Sequence, residues 1–307
     1  MSYLKNFLIL FFSAVVCVNA TFAGDIEDAN DAAIKGDYAT ALKKYKIAAA
    51  KNNAYAQLQV GNFYNEGLVV KRDYSEAARW YKLAAIQGNA EAQFNLACMY
   101  DKGEGVLQDY AEAVRWYKLA ASQGNERAQF NLGSMYNQGQ GVIQDYAEAV
   151  RWYKLSAAQG IADASFNLGV MYERGQGIIR DYSEAARWYK LAAIQGNAEA
   201  QFNLAVKYDK GEGVLQDYAE AVRWYKLAAS QGNIKAQNNL GAHYAKGLGL
   251  AQDFIRAHMW QNLASIGGEE LSISNRDTTA KSLTPQQLAE AQKLARECQA
   301  RNFKNCD

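Results

Sequence analysis

The sequence predicts an all-α fold, a solenoid of six to seven 36-residue helix pairs closed by terminal caps. Three observations predict it. An Asp followed by Tyr or Phe recurs at Asp37, Asp73, Asp109, Asp145, Asp181, Asp217 and Asp253, always 36 residues apart. A Trp follows seven residues later at Trp80, Trp116, Trp152, Trp188, Trp224 and Trp260, with Lys44 in its place in the first copy. The period runs without insertions, and no stretch alternates apolar and polar residues as a strand would. Units of this size cannot bury an apolar face alone and do so by stacking on their neighbours.

One copy, Asn89 to Gly124, shows why each unit is two helices. Asn89 is suited to cap the first helix, because its side-chain oxygen can accept a bond from a first-turn N–H. Ala92, Leu96 and Tyr100 follow at i, i+4 and i+8, one helical stripe. Gly103 stops the helix by entering the left-handed conformation without a Cβ clash, and Gly105 lets the loop turn. Asp109 caps the second helix, and Glu112 is placed to complete a capping box. Ala113, Trp116, Tyr117 and Ala120 form its core-facing stripe, with small residues where helices approach. Each helix is about three turns, roughly 20 Å long.

This pattern resembles the Sel1-like repeat, a relative of the tetratricopeptide repeat. The residues carrying the resemblance read A-x-x-x-L-A/G-x-x-Y-x-x-G-x-G-V/I-x-x-D-Y-x-x-A-x-x-W-Y-x-x-A/S-A-x-x-G and run from Ala54 to Gly268. The resemblance implies a right-handed α-solenoid adaptor that binds other proteins and carries no cofactor.

In chain order, residues 1–23 read as a secretory signal peptide. Lys5 gives the positive start, Phe7 to Val18 is apolar, and Val18-Asn19-Ala20 offers a small-residue cleavage site. The apolar run is short for a membrane span, so no membrane insertion is expected after cleavage. Loss of this segment with its Lys5 leaves 32 basic and 32 acidic residues. A neutral chain argues against a nucleic-acid partner. Residues 24–53 form an atypical first helical unit without the Trp and the double-glycine loop, as a terminal repeat must be. The repeats proper cover 54–268. Asp73–Asn125 and Asp181–Asn233 are the same sequence except for Cys98 against Val206 and Met99 against Lys207, which indicates duplication of three units. Residues 269–307 form a C-terminal cap, whose last helix starts at Thr284 with Pro285 at the first position and Gln287 returning to the cap. Cys298 and Cys306, in an exported chain, are candidates for a disulfide pinning the terminus.

No chemistry-bearing constellation stands out. The two histidines, His243 and His258, replace ordinary helix residues, and no metal, nucleophile-elbow or phosphate-loop spacing occurs. Cys98 has a copy in which Val206 serves, so it reads as a small buried residue. Some exported Sel1-like proteins resemble this chain but carry a cysteine pair in every unit, and β-lactam hydrolysis has been attributed to them. Those pairs are missing here, and no enzyme is expected.

The expectation is therefore an exported bacterial scaffold, periplasmic or extracellular and monomeric, binding a protein or peptide. Its candidate groove is a second stripe of the first helices, Asn95, Asn131, Asn167, Asn203 and Asn239 with Met99, Met135, Met171, Lys207 and His243 beside them. The amides could form a ladder for a peptide backbone, with Met filling gaps. Equally, each Asn could bond to the neighbouring unit and each Met pack between helices. An envelope role, binding a glycan or an enzyme complex through aromatic side chains, is the alternative. It requires Trp116 and its equivalents to be exposed.

Overall fold

The computed structural model describes residues 23–306, so the expected leader lies outside it except for Ala23. Sixteen helices and no strands occur among the described residues. The chain divides into two compact units between Asp145 and Tyr146. The first holds α1 (Ala23–Ile34), α2 (Tyr38–Ala50), α3 (Ala54–Glu66), α4 (Tyr74–Ile86), α5 (Ala90–Lys102), α6 (Tyr110–Ser122) and α7 (Glu126–Gln138). The second holds α8 (Tyr146–Ala158), α9 (Ala162–Arg174), α10 (Tyr182–Ile194), α11 (Ala198–Lys210), α12 (Tyr218–Ala229), α13 (Ile234–Lys246), α14 (Phe254–Ser265), α15 (Glu270–Ala280) and α16 (Pro285–Ala300). Within each unit successive helices pack on one another as far as α15, the pattern of an all-α solenoid, and α16 packs back on α14.

The boundaries follow from the capping residues. Asn53, Asn89, Asn125, Asn197 and Asn233 each accept a bond from the third backbone N–H beyond them. Ile161 stands at the equivalent position before α9 and gives no side-chain cap. Asp109 accepts from the N–H groups of Ala111 and Glu112, as expected of a cap. The capping box does not close. The Asp109 N–H already donates to the Tyr100 carbonyl at 2.9 Å, so Glu112 turns outward and pairs with Arg115 at 3.2 Å. The box at Thr284 and Gln287 does close, because the Thr284 N–H donates to the Gln287 side chain.

The core is built from alanines on the second helices, with larger side chains, a tyrosine prominent among them, filling the space between. Ala113, Ala120 and Tyr117 of α6 are fully buried, as are their equivalents Ala221, Ala228 and Tyr225 of α12. Alanine at these sites lets helix axes approach, and the tyrosine ring fills the space left between three helices. In α2 Lys44 stands where the other units have Trp and pairs with Asp28 of α1 at 2.6 Å.

At the other end, α15 and α16 both pack on α14. Asn238, which replaces the recurring Phe, is buried and accepts a bond from Asn275 of α15 at 3.0 Å. A disulfide joins Cys298 to Cys306, with Cα atoms 5.2 Å apart, and ties the last residues to the buried face of α16. No described helix is long and apolar enough to cross a membrane.

Candidate functional site

The surface of the first helices is built around a tyrosine hydroxyl that recurs in every repeat but the last, where Gln261 stands in its place. In the first unit Asn131 of α7 donates from Nδ2 to the Tyr117 hydroxyl at 2.9 Å. That hydroxyl faces Cys98 Sγ at 3.3 Å and Asp101 Oδ2 at 3.4 Å on α5. In the second unit Asn239 donates to Tyr225 at 3.0 Å, and Tyr225 faces Asp209 Oδ2 at 3.4 Å. Tyr189 donates to Glu173 at 2.5 Å and is also bonded to Asn203. Each relay joins the first helices of successive repeats through the second helix between them. Burial pushes these phenols well above their ordinary range, and it likewise raises the Asp101 carboxyl.

The expected stripe needs correction. Asn95, Asn131, Asn167, Asn203 and Asn239 are half-buried. Their companions are not at a surface: Met99, Met135, Met171, Lys207 and His243 are 3, 3, 2, 2 and 4% exposed. A helix turns about 100° per residue. An error of one position therefore moves a side chain from edge to core. The residues sharing the Asn edge are Cys98, Ser134, Val170, Val206 and Ala242, all half-buried, followed by exposed Lys102, Gln138, Arg174, Lys210 and Lys246.

A second set of ties escaped the sequence reading. Buried Gln57, Gln93 and Gln201 donate from Nε2 to the carbonyls of Ala49, Ala85 and Ala193, at 3.3, 3.0 and 3.1 Å. Their own carbonyl oxygens accept from Gln87, Gln123 and Gln231 at 2.7, 2.7 and 2.8 Å. Each buried Gln thus links the C-terminal ends of successive second helices. The signal was present, since Gln recurs at positions 57, 93, 129, 201 and 237, with Ser165 the exception.

The Sel1 repeat model matches residues 54–89, 90–125, 126–161, 162–197, 198–233 and 234–268, most of the chain. The chain belongs to the Sel1 repeat family. The crystal structure of a Sel1 repeat protein from Oxalobacter formigenes is 34% identical and covers 78% of this chain and 96% of its own, with a TM-score of 0.68. The structure of c5321, a protective antigen present in uropathogenic Escherichia coli strains displaying an SLR fold, is 26% identical over 93% of this chain and 84% of its own, with a TM-score of 0.49. No curated protein matches the chain. Sel1 repeat proteins generally act as protein-interaction scaffolds, and the repeat fold is typically non-catalytic.

Within the Sel1 array, Lys207 and His243 are ties between repeats. Lys207 Nζ bonds to Glu173 of the preceding repeat and to Glu212 of its own loop, the latter at 2.8 Å, and lies 4.8 Å from the centre of the Tyr182 ring. Burial works against its charge, but the bonds to the two carboxylates outweigh it and hold its pKa above the usual lysine value. His243 presents Nε2 to Asp209 Oδ1 at 3.3 Å and Nδ1 to the Leu248 carbonyl at 3.0 Å. The positions equivalent to Glu173 and Lys207 in the first and second repeats of the array hold Asn65 and Met99. That equivalence defines a test. Glu173→Asn should cost about 3 kcal/mol, the low end for breaking a buried ion pair because Glu212 remains. Lys207→Met should cost no more than about 1 kcal/mol, since Glu173 and Glu212 are each about a third exposed and can turn to water. The double variant should recover most of the loss, read from urea unfolding midpoints.

The remaining reactive groups have structural surroundings. Burial raises the Cys98 pKa, the opposite of what an activated thiolate needs. Burial lowers that of His258, keeping the buried ring neutral. Among the described residues no Trp is exposed. Trp116, Trp224 and Trp260 are buried and the other three are half-buried, which counts against stacking of a sugar ring on them.

Proposed function

We propose that the chain is an exported scaffold that captures a protein or peptide on the surface of the first helices of its Sel1 repeats. The observation carrying this reading is the amide geometry at Asn239 and its equivalents. The bond from Nδ2 to Tyr225 fixes the amide plane at a half-buried edge. The carbonyl oxygen is thereby a pre-set acceptor for the N–H groups of an extended peptide. An acceptor already ordered loses little freedom on binding. Export is supported by the leader-like residues 1–23 and by the Cys298–Cys306 disulfide, which suits an oxidising compartment such as a bacterial periplasm or the medium.

The test compares the chain from residue 24 onward with its Asn167/Asn203/Asn239→Ala variant, each immobilised and exposed to envelope extract and culture fluid. The parent should capture a partner that the variant loses, while the helical circular dichroism is unchanged. Each substitution should cost only about 1 kcal/mol, because Tyr189 and Tyr225 keep their carboxylate partners. Equal capture by both chains would contradict the assignment of the surface.

A further inference from the structure

The outer faces of the second helices are a separate, unfilled surface. Leu83, Leu119, Leu155, Leu191 and Leu227 are 40, 42, 43, 42 and 42% exposed, whereas Leu263, the next in the series, is 3% exposed. The difference has a visible cause. Helix α16 lies on α14, and Leu263 shares a core cluster with Ala295 and Cys298 of α16, with Leu294 packed against it. The last second helix therefore shows what this face accepts: an amphipathic helix with a stripe of small apolar residues.

The flanking residues differ between the filled face and the open ones. In α14, Met259 and Asn262 flank Leu263. In α8 the same positions are Arg151 and Lys154, and in α10 and α12 they are Arg187 with Lys190 and Arg223 with Lys226. On α8, Ala147, Val150, Arg151, Lys154 and Leu155 line a shallow depression of about 470 Å³. Arg151 pairs with Glu148 at 3.3 Å, while Lys154 lies over the Tyr172 ring at 5.7 Å. A floor of Ala, Val and Leu with two cations at its rim suits a helix whose apolar stripe is bordered by carboxylates. Helix α16 itself carries Lys293 and Arg296 against Glu290 and Glu297. It is charge-balanced and docks where the rim cations are replaced.

We propose that the outer face of α8, and by repetition those of α10 and α12, docks an acidic amphipathic helix of a partner protein in the manner in which α14 docks α16. This surface is distinct from the first-helix edge and does not depend on it.

The experiment places the photo-reactive residue p-benzoyl-phenylalanine at Leu155 in the chain from residue 24 onward. The probe is a synthetic peptide of residues 284–300 with Cys298→Ala, made acidic on both flanks of its stripe by Gln292→Glu and Arg296→Glu. The acidic peptide should cross-link at Leu155 roughly two- to thirtyfold more than the unmodified peptide, the range of two exposed ion pairs. The Arg151→Glu/Lys154→Glu chain should lose that adduct and instead take a Glu290→Lys/Glu297→Lys peptide. The charge-reversed chain should melt only a few degrees below the parent, since both cations are exposed and the Arg151–Glu148 pair lies at the surface. Equal cross-linking of acidic and unmodified peptides would overturn the proposal, as would no adduct at Leu155 or an adduct indifferent to charge reversal.

Discussion

Gly213→Ala should destabilise the second unit by roughly 2–5 kcal/mol. Two effects add. The residue sits at φ +77°, where an L side chain costs about 1–2 kcal/mol. A Cβ there would also lie 2.2 Å from the Tyr182 carbonyl oxygen and 2.6 Å from the Ser183 nitrogen, at the start of α10. Overpacking against backbone costs a further 1–3 kcal/mol or so. The second glycine of the G-x-G loop is therefore a contact between repeats as well as a turn. Gly196→Ala is the control, because Gly196 has φ +93° and nothing within 4 Å of the added carbon. Urea melts of the two variants should differ by the packing contribution alone. Equal losses would mean that the loop does not seat on α10.

Raising the pH above about 10 should unfold the protein cooperatively. Tyr45, Tyr81, Tyr117, Tyr189 and Tyr225 are buried, and burial drives each phenol far above its ordinary value. A group whose folded pKa is raised contributes stability that is complete below the unfolded pKa and lost as the pH rises beyond it. For tyrosine the loss begins near 10, at about 1.4 kcal/mol per pH unit for each group. Five such groups exceed the total stability of an ordinary domain within about two pH units. Phenolate absorbance should therefore show an early phase from exposed tyrosines and a later one coincident with loss of helical dichroism. Full ionisation of all tyrosines with helicity intact would contradict the buried relay.

The architecture was legible because its determinants are local. Period, caps and terminal glycines act within a few residues, so Asn89, Gly103, Asp109 and Thr284 could be assigned from spacing alone. What could not be read were choices made between repeats. The Asp109–Glu112 box failed because a carbonyl from the previous helix, that of Tyr100, had already taken the N–H. Met99 was placed on an open edge that belongs to Cys98, because a one-residue rotation separates edge from core on a helix without a strongly polar face. The pairing of Lys207 is not visible in its spacing because its acids lie apart in the chain, Glu173 on the preceding first helix and Glu212 in the loop that follows. The buried glutamines carry a signal in their recurrence at 36-residue spacing, but their partners lie at the ends of two different second helices.

The central claim is that the first-helix edge takes the partner, and its most direct test is cross-linking from that edge. A photo-reactive residue at Val206, half-buried beside Asn203, would be compared with one at Leu215, which is 92% exposed on the loop. In envelope extract and culture fluid the account predicts a discrete protein adduct from position 206, suppressed by excess unlabelled chain, and none from position 215. An adduct from position 215 with none from position 206 would contradict it.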